Sequence, residues 1–263
     1  MKQRENRFVP KALRGLFSSW GNSMIPPKAM RFVGKGDFEK IGNEFREHFI
    51  RIGKLQPGDQ VLDVGCGIGR MAIPLTDYLS PAGEYHGFDI VKKGIDWCQE
   101  RITPRFPNFH FLQSDVYNKH YNPDGKMRAA DYVFPFADGK FDFVFLTSVF
   151  THMIPADLEN YLKEISRVMK PGGRCLITMF LLNDESRRLV GDGKSDLDFR
   201  HDMGGYVTTR PEDPETAIAY DEPAVAELFA RYGLVVEQPF RYGSWCGRPE
   251  FLSYQDVVIA ERR

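Results

Sequence analysis

Between residues 60 and 180 short apolar runs alternate with amphipathic ones, and that alternation leaves few folds open. Strands are expected at residues 60–64, 85–90, 109–113, 141–146 and 175–180, and helices at 70–79, 92–102 and 157–169. The turn "SPAGE" and the stop "KPGGR" punctuate the pattern, and residues 114–140 are irregular. Parallel strands need a crossover of a dozen or more residues, and helical segments supply it here. The expectation is therefore a Rossmann-like, doubly wound α/β fold with helices on both faces of the sheet. Upstream, Phe38, Ile41, Phe45, Phe49 and Ile52 fall at helical spacing before Gly53 and "QPGDQ". Downstream the rhythm breaks: a helix at 222–232 stops at Gly233, a strand at 234–236 follows, and "YQDVVIAERR" supplies a last strand. Their linker, "EQPFRYGSWCGRPEFLS", has no helical periodicity, so this final pair should be antiparallel.

The first strand runs into "VLDVGCGIGR", where Gly65, Gly67 and Gly69 stand at alternate positions. In a doubly wound sheet this strand end faces the ligand crevice, and glycine lets the backbone approach the ligand closely. A dinucleotide fingerprint wants G-x-G-x-x-G, but the last glycine position holds Arg70. Asp63, two residues before Gly65, repels a pyrophosphate and attracts a cation. S-adenosylmethionine carries a sulfonium, an ammonium and a ribose but no phosphate, and suits such a site better. Asp89 ends the second strand, 20 residues after Gly69, where a carboxylate accepts from both ribose hydroxyls. Asp115 follows the third strand, in position to accept from an adenine amino group.

With these features in order, the chain resembles the class I S-adenosylmethionine-dependent methyltransferases of the "type 11" kind. "VLDVGCGIGR", "YHGFDI", "LQSDV", "FPFADGKFDFVFLTSVFTHM" and "EISRVMKPGGRCLI" match the family's successive motifs over about residues 38–180. The resemblance implies a seven-stranded sheet, mostly parallel with an antiparallel last strand. It also implies that Gly65, Cys66 and Gly67 wrap the methionine end of the cofactor, that Asp89 holds the ribose, that Asp115 and Val116 frame the adenine, and that Thr147 approaches from the sheet's edge. The segment "VYNKHYNPDGKMRAADYVF" is an insertion relative to that pattern; with "GSWCGR" it resembles a sparsely characterised bacterial branch of the family.

Methyl transfer is an in-line displacement at carbon, and a hydroxyl acceptor also needs its proton removed. His152, just past the fourth strand, is the leading candidate base, with His201 as a second; the alternative for each is a purely structural role. Residues 181–220 are polar and little periodic, which reads as a long binding loop or lid holding Arg200, His201 and Asp202. In the linker, Tyr242 and Trp245 are expected to stack on the acceptor and Arg248 to pair with an anionic group; simple loop packing accounts for the same residues. Cys66 at a helix N-terminus invites comparison with an activated thiol, but the resemblance makes it a small cofactor-contacting residue.

Lys and Arg total 35 against 36 Asp and Glu, so no field steers the chain to nucleic acid. A small-molecule acceptor is expected, methylated on a hydroxyl, with a saccharide or a lipid-linked intermediate as the candidates. The rivals are a non-catalytic S-adenosylmethionine binder and an NAD(P)-dependent oxidoreductase. Cys66, Cys98, Cys175 and Cys246 are widely spaced, which speaks against a zinc cluster or disulfide framework and for a reducing, cytoplasmic compartment without a metal. No apolar run has the length of a membrane span. Residues 1–34 form a basic extension with interleaved Phe, Leu and Trp, open to reading as a surface anchor or as a solvated or domain-packed arm, and residues 35–263 form one domain. Oligomeric state is not legible.

Overall fold

The computed structural model describes residues 23–263 apart from 33 and 35, so most of the basic extension lies outside the described residues. Its last part lies on the domain: Met24, Ile25, Met30 and Phe32 pack against a core cluster, and the Trp97 indole donates to the Met24 carbonyl at 3.0 Å.

A seven-stranded sheet is ordered β10-β11-β5-β4-β1-β2-β3. β1 (Gln60–Val64) is central, parallel to β2 (Glu84–Asp89) and to β4 (Phe141–Leu146). β3 (Phe109–Gln113) forms one edge. β5 (Met169–Met179) is parallel to β4, β11 (Asp256–Arg262) is antiparallel to β5, and β10 (Leu234–Val236) is antiparallel to β11. The expected antiparallel final pair is present. Strand order reverses between β1 and β4, which puts the crevice at the carboxyl ends of these two strands.

Helix α1 (Phe38–Arg51) is capped by Asp37, whose carboxylate accepts from the Glu39 and Lys40 amides at 3.1 and 2.9 Å. It buries Phe38, Phe45 and Phe49, and its Gly42 lies so near the Arg70 carbonyl that a Cβ there would stand 2.6 Å away. With α3 (Lys92–Arg101) it covers one sheet face, over Val61, Tyr85, Phe109 and Phe145. The other face packs α4 (Pro155–Val168) and α6 (Glu222–Arg231) over Leu62, Val144, Ile177 and Val258.

Three expectations are corrected. The helix at 70–79 shrinks to α2 (Ala72–Leu75); Pro74 lacks the amide that would bond the Arg70 carbonyl, which keeps residues 70 and 71 out of it. "KPGGR" does not precede β5 but lies within it: β5 pairs Met169 with Phe141, then shifts register around Gly172 and Gly173 before pairing Arg174 with Phe143. Residues 181–220 are not an unstructured loop. They carry a second, four-stranded sheet in the order β6-β9-β8-β7. Its strands are β6 (Leu181–Leu182), β7 (His201–Asp202), β8 (Val207–Thr208) and β9 (Ile218–Asp221). Helix α5 (Asp184–Gly191) follows β6 behind an Asn183–Ser186 capping box. This sheet has its own core of Phe180, Leu182, Leu189, Phe199, Ala219 and Trp245.

Candidate active site

At the end of β1 the backbone turns through Gly65, Gly67 and Gly69 at φ of 84°, 59° and 83°, a region that side-chain-bearing residues rarely enter. Gly65 also has no room for a side chain, since a Cβ there would stand 2.5 Å from Val149. The turn is tied to β2: the Gly65 and Cys66 amides donate to the Phe88 carbonyl at 2.9 and 3.0 Å. The Gly67 amide donates to Asp89 at 2.7 Å, and the Val91 amide reaches the other Asp89 oxygen at 2.8 Å. Asp89 thus holds the turn while each of its oxygens keeps a second lone pair. Burial pushes its carboxyl pKa up against these amide bonds.

Asp63 is fully buried one strand away. The Tyr85 hydroxyl donates to its Oδ2 at 2.6 Å, while its Oδ1 has no hydrogen-bond partner. Burial, with the like charge of Asp89 adding to it, pushes this carboxyl up to about 8, although the Tyr85 hydrogen bond and Arg70 pull the other way. A buried acceptor without a partner is costly, and a cation brought to it relieves that cost. Burial also drives the Cys66 thiol well above its ordinary range, so it is no activated nucleophile.

Beyond β4, Thr147 lies half-buried at the sheet's carboxyl edge. Ser148 next to it takes a φ of 60°, uncommon for a residue with a Cβ. Its amide donates to Thr178 Oγ1 at 2.7 Å and its hydroxyl to Gln255 at 3.0 Å; Thr178 donates to the same Gln255 oxygen at 2.6 Å. Sequence reasoning did not mark this triad, because Thr178 and Gln255 lie 30 and 107 residues from Ser148.

His152 ends a short 3-10 turn. Its Nδ1 lies 2.8 Å from the Glu215 carbonyl, an acceptor, so Nδ1 carries the hydrogen and Nε2 the lone pair. Burial holds its pKa below the usual histidine value. The Glu215 side chain accepts from Asn118 at 3.1 Å, and Lys119 and His120 pair with Asp213 at 3.1 Å each. The inserted segment, the entry to β9 and His152 therefore meet at one place. Asp115 stays at the start of the insertion, its carbonyl taking the Lys126 and Met127 amides, and Val116 is buried beside Met127.

Other predicted contacts are not brought there. His201 is on β7, the outermost strand of the small sheet, two strands from the β9 entry that His152 touches. Arg200 is exposed and paired with Asp198 at 2.6 Å. Trp245 cannot stack on an acceptor: it is fully buried between Phe180 and Phe199, its indole donating to Asp256 at 2.7 Å. Arg248 is 4% exposed and its charge is already engaged by Asp256 at 3.1 Å and Glu185 at 2.8 Å. Tyr242 stacks beneath that guanidinium at 4.4 Å and donates to Glu222 at 2.9 Å. A recess of about 560 Å³ lined by Asn183, Arg187 and Glu222 opens at the starts of α5 and α6 and includes no residue of the glycine turn.

Residues 62–177 match a family described as a methyltransferase domain. Phthiotriol/phenolphthiotriol dimycocerosates methyltransferase 1 of Mycobacterium ulcerans is 35% identical over 121 residues, 46% of this chain and 37% of that protein. Demethylmenaquinone methyltransferase of a Geobacillus species is 30% identical over 138 residues, 51% of this chain and 52% of that protein. The chain thus spans about half, or less, of the curated relatives it matches. Among solved structures, the PH0226 protein of Pyrococcus horikoshii shares the fold with a TM-score of 0.59 at 18% identity, over 89% of this chain and 95% of that one. Magnesium protoporphyrin IX methyltransferase of Synechocystis, solved with bound SAH, does so at 0.54 and 16% identity, over 95% and 100%.

Proposed function

We propose that the chain, whose residues 62–177 match a methyltransferase domain, moves a methyl group from S-adenosylmethionine to a hydroxyl of a small molecule, and that His152 takes the hydroxyl proton. The observation that carries this reading is the His152–Glu215 hydrogen bond of 2.8 Å, which leaves the imidazole lone pair on Nε2, in the turn that follows β4. The bound cofactor supplies an electrophilic methyl and a neutral thioether leaving group. The residues fit it: the glycine turn offers bare backbone, Asp89 offers ribose acceptors, and the unpartnered Asp63 oxygen suits its cationic end. Asp115 and Val116 are the adenine-side residues in this reading, and Thr147 faces the methyl from the edge of the sheet. Cys66 packs the turn. An acceptor of saccharide or lipid-linked character accords with the near-neutral charge and with relatives named for phthiotriol dimycocerosates and demethylmenaquinone.

His152→Ala is expected to lower turnover by about 10²–10⁴-fold while leaving cofactor affinity within about twofold, a limit well under the tenfold that 1.4 kcal/mol represents. Labelled methyl transfer to extract metabolites, read by mass spectrometry, measures the first effect and calorimetry the second. Full activity in the variant removes His152 as base. Cofactor binding without any methylated product in the wild-type chain makes this protein a non-catalytic binder instead.

Asp63 gives a pH signature. Below about 8 the free chain keeps it protonated, so binding a cation near it must expel the proton. S-adenosylmethionine affinity should therefore rise with pH from 6 to 8, by up to about tenfold per unit, and level off above. Asp63→Asn is expected to weaken binding and flatten that slope. A pH-independent affinity in the wild type places Asp63 out of contact with the cofactor's charge.

A further inference from the structure

Away from the glycine turn, one cluster of metal-ligating side chains among the described residues has no part in the chemistry described above. Glu84 and His86 are two residues apart on β2 and so share one face of the sheet. His110 on the edge strand β3 lies directly opposite His86 in the parallel register. The two imidazoles face each other with centroids 4.8 Å apart and planes 30° from parallel. Glu84 Oε2 is 3.0 Å from His86 Nε2, and one donor atom from each of the three residues lies within 4.8 Å of the other two.

A second observation points to a cation at this place. The Lys140 ammonium lies 3.0 Å from the same His86 Nε2, and 5.4 and 5.3 Å from the ring centroids of Phe136 and Phe141. One imidazole nitrogen thus faces both a carboxylate oxygen and a positive charge. The fold has built a pocket of donors and aromatic faces around a cation, and that cation is a tethered amine on a flexible stem.

We propose that Glu84, His86 and His110 form a binding site for a borderline divalent cation of the zinc class, and that Lys140 is its built-in competitor. Two imidazoles and one carboxylate are a donor set for zinc or cobalt rather than calcium or magnesium. Metal–nitrogen bonds of about 2.0–2.1 Å in tetrahedral geometry place donors about 3.4 Å apart. Glu84, at 3.0 Å from His86, needs only a small outward shift to reach that spacing, and His110, which is exposed, has room to close the remaining gap by turning its ring. His86 is held between the edges of Phe136 and Phe141, so it supplies the fixed ligand. The lysine swings to solvent as the ion enters, and water completes the fourth position. Because His86 is three residues before Asp89 on the same strand, an ion here clamps β2 to the edge strand beneath the ribose-binding carboxylate.

The test is titration of the metal-stripped full chain with Co²⁺, read by its visible absorption, then displacement by Zn²⁺ measured by calorimetry. One ion per chain is expected. His110→Ala and Glu84→Gln, both at solvent-accessible side chains, should each weaken binding by about tenfold or more. Lys140→Met should tighten it severalfold, which a merely structural lysine would not do. Circular dichroism and thermal unfolding in chelator verify that the variants fold. Absence of binding, or binding that survives His110→Ala at full affinity and so belongs to other residues, overturns the site. Unchanged affinity in Lys140→Met overturns the lysine's part.

Discussion

Asp89→Ala lowers S-adenosylmethionine affinity by about two to four orders of magnitude, measured by calorimetry on the folded variant. The carboxylate has two duties. It holds the Gly67 and Val91 amides at 2.7 and 2.8 Å, which sets the shape of the turn, and in the proposed function its remaining lone pairs accept from the ribose hydroxyls. Hydrogen bonds to a charged group contribute about 1.5–3 kcal/mol each, so losing two costs about 3–6 kcal/mol, or roughly 10²–10⁴ in affinity. The two stranded amides loosen the turn as well. Asp89→Asn, which keeps one acceptor but cannot take both amides, should fall between. An affinity within about threefold of wild type, a loss smaller than the tenfold that 1.4 kcal/mol represents, would remove the sugar from this strand end.

Asp256→Ala is expected to destabilise the fold by about 3–5 kcal/mol, because it takes one of two carboxylates from a buried guanidinium and leaves two buried amides and an indole without an acceptor. Asp256 is fully buried; it accepts from the Leu181 and Gly243 amides and the Trp245 indole at 2.7 Å each, and from Arg248 at 3.1 Å. No other residue in the described structure gathers that set: the start of the small sheet, the linker, its tryptophan and its arginine. For a chain of this size the loss lowers Tm by roughly 6–20 °C, readable by differential scanning calorimetry. Arg248→Met, which removes the charge together with its need for a partner, should cost less than Asp256→Ala. The reverse order would mean that the arginine contributes mainly by packing.

What could be read from the sequence, and what could not, divides along a physical line. β1 to β5 were legible because each is an apolar run set apart by turns, helices or a long insertion, and the positions of Asp63 and Asp89 at the ends of β1 and β2 were legible because they stand at fixed offsets from the glycines. The small sheet was not, since strands of two to four residues are too short to display a period. The packing of Trp245 and Arg248 into the fold was not legible for another reason. An aromatic and arginine loop looks like a ligand contact until a buried carboxylate elsewhere absorbs its donors, and Asp256 does so from the last strand. The His86–His110 pair is invisible for a third reason, since a spacing of 24 residues means nothing until the register of β2 and β3 puts them side by side.

The partner of His152 is a main-chain oxygen, 63 positions further along the chain. Side-chain replacement at Glu215 alters its bond with Asn118 but leaves that oxygen in place, since every amino acid brings the same carbonyl. Point mutation at 215 therefore has little purchase on the imidazole's tautomer, whereas shortening or lengthening the segment before β9 shifts the oxygen itself. Substitutions among the neighbouring side chains then leave the imidazole's partner in place, provided that loop length is kept.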